Sequence, residues 1–121
     1  MNAGQFKASL ADAAPPQDLA APLAALWWDA KGDWARAHES AQQDEGVEGS
    51  WVHAYLHRKE GDQGNATYWY GRAGKPVCRQ PLDAEWGSIV RGFDQSDLAS
   101  PFQKRDIQSK ETLSGRISVM V

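Results

Sequence analysis

The sequence predicts an all-α protein in which antiparallel helical hairpins stack into a layered body. Three observations carry this. A glycine–aspartate pair occurs twice between amphipathic stretches, at Gly32-Asp33 and Gly61-Asp62. Apolar residues on either side recur at helical spacing, three and four apart. The two segments also align at a spacing of 29 residues, so that Leu23 matches Val52, Leu26 matches Tyr55, Trp27 matches Leu56 and Ala37 matches Ala66. About five helices are expected. They occupy a repeat domain over residues 22–93, after a weakly structured segment at 1–21 and before a polar, flexible tail at 94–121.

In chain order, residues 1–21 are Ala-rich and broken by Pro15-Pro16, with Phe6 and Leu10 four apart marking a brief helix at Gln5–Ala11. The next helix starts near Pro22, whose fixed φ and missing N–H suit a first turn. It reads PLAALWWDAK and ends at Gly32, where glycine accepts the left-handed backbone of a helix cap. Asp33 then caps WARAHESAQQ by accepting its free N–H groups. Asp44–Ser50 is the loop between hairpins, with Ser50 placed to cap WVHAYLHRKE. Gly61-Asp62 repeats the corner into GNATYWYGRA, which stops at Gly74-Lys75-Pro76. Corners this short bring consecutive helices together antiparallel. Leu82, Trp86, Ile89, Val90 and Phe93 then define a fifth helix over Pro81–Phe93, which closes the open end of the second hairpin.

Composition narrows the function classes. A net charge of −3 offers no basic surface for tracking a phosphate backbone, so nucleic acid is not an expected partner. No apolar stretch approaches the roughly 20 residues that span a bilayer. The first residues lack the charged start and apolar run of a secretory signal. The single cysteine, Cys78, suits a reducing compartment, and a cytoplasmic protein is expected. Six tryptophans suit short helices that need large side chains for their core.

On a helical wheel, Trp51, Val52, Tyr55 and Leu56 fall within roughly 140° of one another, and His53, His57 and Glu60 gather on the opposite side within about 60°. The equivalent apolar clusters are Leu23, Leu26, Trp27 and Ala30, then Trp34, Ala37 and Ala41, then Ala66, Trp69, Tyr70 and Ala73. Trp28 and Tyr68 point away from theirs.

The run Ala66-Thr67-Tyr68-Trp69-Tyr70-Gly71-Arg72-Ala73-Gly74 resembles the second-helix pattern of Sel-like and tetratricopeptide repeats. Ala54 and the Gly61-Asp62 hinge are similar to the tetratricopeptide arrangement. Leu26–Pro76 also resembles small uncharacterised bacterial proteins that share LWWDAKGDW and WVHAYLHRKEGD. The resemblance covers Pro22–Phe93. It implies stacked hairpins that recognise a peptide. From the glycine–aspartate hinges and the outward Trp28 and Tyr68, the expected role is a non-enzymatic interaction or adaptor module with a protein or peptide partner, or one that self-associates, and no cofactor is expected; an enzyme whose residues converge only in three dimensions is a further alternative. The expected binding surface is Trp28, His53, His57 and Tyr68.

The rival reading is a metal site. His53 and His57 stand at i and i+4, a spacing that lets two imidazoles share one ion, with Glu60 on the same side. A further ligand from His38, Cys78 or an acidic residue would have to come from the fold. Without one, the two histidines read as solvent-facing residues on the polar side of an amphipathic helix. There is no H-E-x-x-H motif, and no catalytic triad, reactive-thiol pattern or paired-carboxylate signature is legible. Arg58, Lys59, Arg72 and Lys75 read as cations complementing helix C-termini.

Overall fold

A computed structural model of the chain describes residues 1–93. The tail expected at 94–121 lies outside the described residues. Those described form six α-helices, one short 3-10 turn and no strand: α1 (Ala3–Ala8), α2 (Ala21–Ala30), α3 (Trp34–Ala41), α4 (Val47–Glu60), α5 (Gln63–Ala73) and α6 (Leu82–Gly92). The all-α expectation holds: five helices fall where the repeat domain was expected, and the brief N-terminal helix is the sixth.

The two glycine–aspartate corners are built alike. Gly32 has φ +83° and Gly61 φ +92°, both in the left-handed region where a Cβ is strained. The next amide reaches back across the corner, Asp33 N–H to the Trp28 carbonyl at 2.9 Å and Asp62 N–H to the His57 carbonyl at 2.9 Å. Each aspartate then caps the following helix, Asp33 Oδ1 accepting from Arg36 N–H at 3.0 Å and Asp62 Oδ1 from Asn65 N–H at 3.1 Å. Unpaired groups at two helix ends are thus satisfied within a few residues, so α2 folds back on α3 and α4 on α5. Gly74, φ +70°, ends α5 with the same long bond, Lys75 N–H to the Tyr70 carbonyl at 3.0 Å.

All eight residues paired by the 29-residue register are buried. Each buried large aliphatic side chain contributes about 1.5–3 kcal/mol relative to exposure. The tryptophans tie elements together, because an indole N–H taken from water needs an acceptor. Trp27 donates to Ser9 Oγ, Trp34 to the Leu56 carbonyl, Trp86 to the Leu26 carbonyl and Trp51 to Glu85 Oε2.

Three boundaries differ from expectation. The N-terminal helix starts at Ala3, because Asn2 and Gln5 form a reciprocal capping box, and it passes into a 3-10 turn at Ser9–Ala11. The segment is anchored to the body by Phe6, fully buried, and by Lys31 Nζ, which donates to the Leu10 and Asp12 carbonyls. Ser50 is not a cap. Helix α4 begins a turn earlier, after Gly46, whose N–H donates to Asp44 Oδ1 at 2.7 Å, and Ser50 is buried inside it. This early start requires Gly49, where an added Cβ would stand 1.9 Å from the Asp44 carbonyl oxygen.

Helix α4 packs against α2, α3, α5 and α6. An unbroken run from Val52 to His57 is therefore buried. A helix surrounded in this way keeps no solvated face along that stretch. That corrects the placement of His53 and His57 on a solvated side: they are 5% and 8% exposed.

Candidate metal centre

The polar side of α4 faces α3 and α5, so its histidines meet side chains from both. His38 enters from α3, His53 and His57 from α4. One ring nitrogen from each lies within 4.8 Å of one from each of the others. His38 Nε2 and His53 Nε2 face each other at 2.9 Å, one carrying the proton that the other accepts. His53 and His57 stack one turn apart with centroids 4.9 Å apart, and His38 meets both rings edge-on.

Two tryptophans hold the cluster from outside. Trp34 stacks on His38 at 4.8 Å and Trp69 on His53 at 3.8 Å. The planes are nearly parallel in both pairs, at 10° and 14°. Rings pinned this way lose little further freedom when they take up a ligand geometry.

Glu60 does not point into the cluster. Its Oε2 accepts from His57 Nδ1–H at 2.7 Å, so in the neutral ring the lone pair is on the opposite nitrogen, Nε2. Asp62 lies close to the same pair, but both its oxygens are held by Asn65, which keeps its carboxyl below the usual range.

Electrostatics favour neutral rings. Burial, then the neighbouring His38 and His57, bring the His53 pKa down to about 4. His38 is lowered by burial and by His57, with Glu60 partly offsetting the effect. Neutral imidazole is the form that ligates metal, and both rings are held toward it at pH 7. Two nitrogens each about 2.0–2.1 Å from one tetrahedral ion stand about 3.3 Å apart. The observed 2.9 Å between His38 and His53 is shorter than that, and ligation through both nitrogens would require the proton between them to leave.

Of the metal set predicted from sequence, His53 and His57 do meet, and Glu60 orients one of them. The further imidazole that the fold brings beside them is His38. Cys78, half-buried in the loop after α5, belongs to no such grouping among the described residues. The predicted surface of Trp28, His53, His57 and Tyr68 is not assembled as an exposed face. Trp28 is half-buried, edge-on to Trp27 and covered by the Arg36 guanidinium at 4.6 Å. Only Tyr68, 56% exposed, presents its ring to solvent.

His38 left one trace in the sequence. It sits four residues after Trp34 and three before Ala41, on the face of α3 assigned to packing. Two buried carboxylates left none. Asp29 accepts from Tyr55 O–H at 2.7 Å and from Lys59 Nζ at 2.8 Å. Glu85 accepts from Tyr70 O–H at 2.6 Å, Trp51 N–H at 3.0 Å and Arg58 Nη1 at 2.8 Å, while Arg58 Nη2 also donates to the Gln80 carbonyl. Burial, together with these bonds, pushes both tyrosine pKa values up. Lys59 and Arg58 are thus partners of buried acids rather than free cations at a helix end, and Lys75 and Arg72 lie over the Trp51 and Trp69 rings.

No family model, no curated protein and no solved structure matches the chain. Among the described residues, no helix is long and apolar enough to cross a membrane.

Proposed function

We propose that this chain is a non-enzymatic metal-binding protein in which His38, His53 and His57 hold one divalent transition ion. The observation that carries the reading is the convergence of three ring nitrogens from two helices within 4.8 Å. Three points support it. The rings of His38 and His53 favour the neutral, ligating form. The ring of His57 is oriented by a carboxylate on its other nitrogen, the usual outer-sphere arrangement of metal-bound histidine. The rings of His38 and His53 are clamped by Trp34 and Trp69. An all-imidazole set suits zinc, nickel or copper over magnesium or calcium, which prefer oxygen. The ion would bond α3 of the first hairpin to α4 of the second, and three ligands leave a fourth position for water or an exogenous group.

The test is equilibrium dialysis of the full chain against zinc, then nickel, with bound metal counted by elemental analysis. About one ion per chain is expected, with His38→Ala and His53→Ala each losing most of the binding and Glu60→Gln weakening it about 10–100-fold. Uptake that is substoichiometric in the wild type, or unchanged in both histidine variants, overturns the reading.

A second reading is favoured by one observation, the exposure of Tyr68 on the outer side of α5. Together with the Sel-like and tetratricopeptide resemblance, it supports a stack of hairpins that docks a protein or peptide partner, or a second copy, through α5. Sedimentation of wild type and Tyr68→Ser at rising concentration tests self-association. A strict monomer in both removes the second-copy form of this reading.

A further inference from the structure

On the other side of α4 the helices α1, α2, α4 and α6, with the 3-10 turn at Ser9–Ala11, line a shallow, largely open cavity of about 460 Å³. Its size lies in the range of about 300–1,000 Å³ typical of small-molecule sites. Leu10, Ala30, Leu82 and Trp86 supply its apolar walls. The Trp86 N–H is already donated to the Leu26 carbonyl, so the indole offers the cavity carbon surface and no unmet polar group.

The charges around it can be accounted for one by one. Asp29 and Lys59 both line the cavity, but they neutralise each other at 2.8 Å, and the second Asp29 oxygen is occupied by Tyr55 O–H. Lys7 and Asp83 remain. Both are exposed, and neither side chain has an ion-pair or hydrogen-bond partner among the described residues. One comes from α1 and the other from α6, so an apolar cavity carries at its edge one cation and one anion that no other described residue compensates. A purely anionic ligand would satisfy Lys7 and meet Asp83 as a like charge; a cationic ligand would do the reverse.

We propose that this cavity binds a large apolar α-amino acid, its side chain among Leu10, Leu82 and Trp86, its carboxylate toward Lys7 and its ammonium toward Asp83. This site is separate from the histidine cluster and does not depend on metal.

The experiment follows the indole N–H signal of Trp86, identified by its loss in Trp86→Phe, during NMR titration of the full chain. The probes are L-phenylalanine, 3-phenylpropanoate and 2-phenylethylamine. L-Phenylalanine is expected to shift the signal saturably. Each analogue, lacking one charge, is expected to bind about 1.5-fold to fivefold more weakly, the scale of one exposed ion pair. In Lys7→Gln the advantage over 2-phenylethylamine should vanish, and in Asp83→Asn the advantage over 3-phenylpropanoate. Both substitutions are at exposed positions, so folding is preserved and readable from the rest of the spectrum. No saturable shift with L-phenylalanine, equal binding of all three probes, or an advantage that survives in both variants overturns the proposal.

Discussion

The indole of Trp69 lies flat on the imidazole of His53, their centroids 3.8 Å apart. This contact joins the second helix of one hairpin to the buried side of α4, and it excludes water from a ring that would otherwise titrate near neutrality. With burial as the main cause and His38 and His57 as the other titratable groups at that ring, His53 is held neutral down to about pH 4.

Stability of the metal-free chain should therefore depend on pH in a definite window. The unfolded histidine takes a proton near pH 6.5, whereas folded His53 resists until about 4. Between those values the unfolded state binds more protons, so stability is complete above about 6.5, falls as pH drops, and levels off below 4. His38 adds a loss of the same sign. Each tenfold difference in proton affinity between the folded and unfolded states is worth about 1.4 kcal/mol, so the loss tied to His53 across that window is about 3–4 kcal/mol. Urea unfolding with a chelator present at pH 7.5, 6, 5 and 4 measures it, and the fall between 6.5 and 4 should shrink in His53→Gln.

Glu85 is 1% exposed and is the shared acceptor of Arg58, Trp51 and Tyr70. Removing it leaves three donors without an acceptor in a dry site. Glu85→Ala should cost about 3–5 kcal/mol, as for other buried ion pairs broken on one side. Glu85→Gln, which keeps an acceptor oxygen, should cost less. Chemical denaturation ranks the two, and equal losses would mean the bonds matter less than the volume.

Two glycines inside helices should respond oppositely to alanine. At Gly49 the new methyl meets the Asp44 carbonyl oxygen at 1.9 Å, so α4 must move or shorten. The loss should be about 1–3 kcal/mol or more. At Gly71, exposed in α5, a Cβ meets nothing within 4 Å. Alanine there should add about 0.5–1 kcal/mol through helix propensity and a less disordered unfolded chain. Thermal melts of both variants decide the pair.

The left-handed corners should be nearly as sensitive as the core. Gly61→Ala places a Cβ at φ +92° with open space around it, so the cost is conformational alone, about 1–2 kcal/mol. Asp62→Ala removes the cap of α5 and should cost about 0.5–2 kcal/mol. If the corner acts as one device, the double variant should lose less than the two single losses added together, which a double-mutant cycle in urea measures.

Local chemistry was enough to place five helices between Pro22 and Phe93 and the two glycine–aspartate corners, though not the start of α4. Glycine at positive φ, aspartate accepting from the third amide onward and alanine where helices touch act within a few residues. The sequence therefore determined the α2–α3 and α4–α5 hairpins, their corner caps and the eight matched core positions. What it left open was how many neighbours a helix would have. Only the tertiary structure places α4 among four partners, and that burial turns an apparently solvated histidine pair into a buried one. The same packing brings His38 across from α3, and seals Asp29 and Glu85 among their donors. Spacing along one helix describes faces; the dielectric at a face and the side chains opposite it are set by residues far away in the chain.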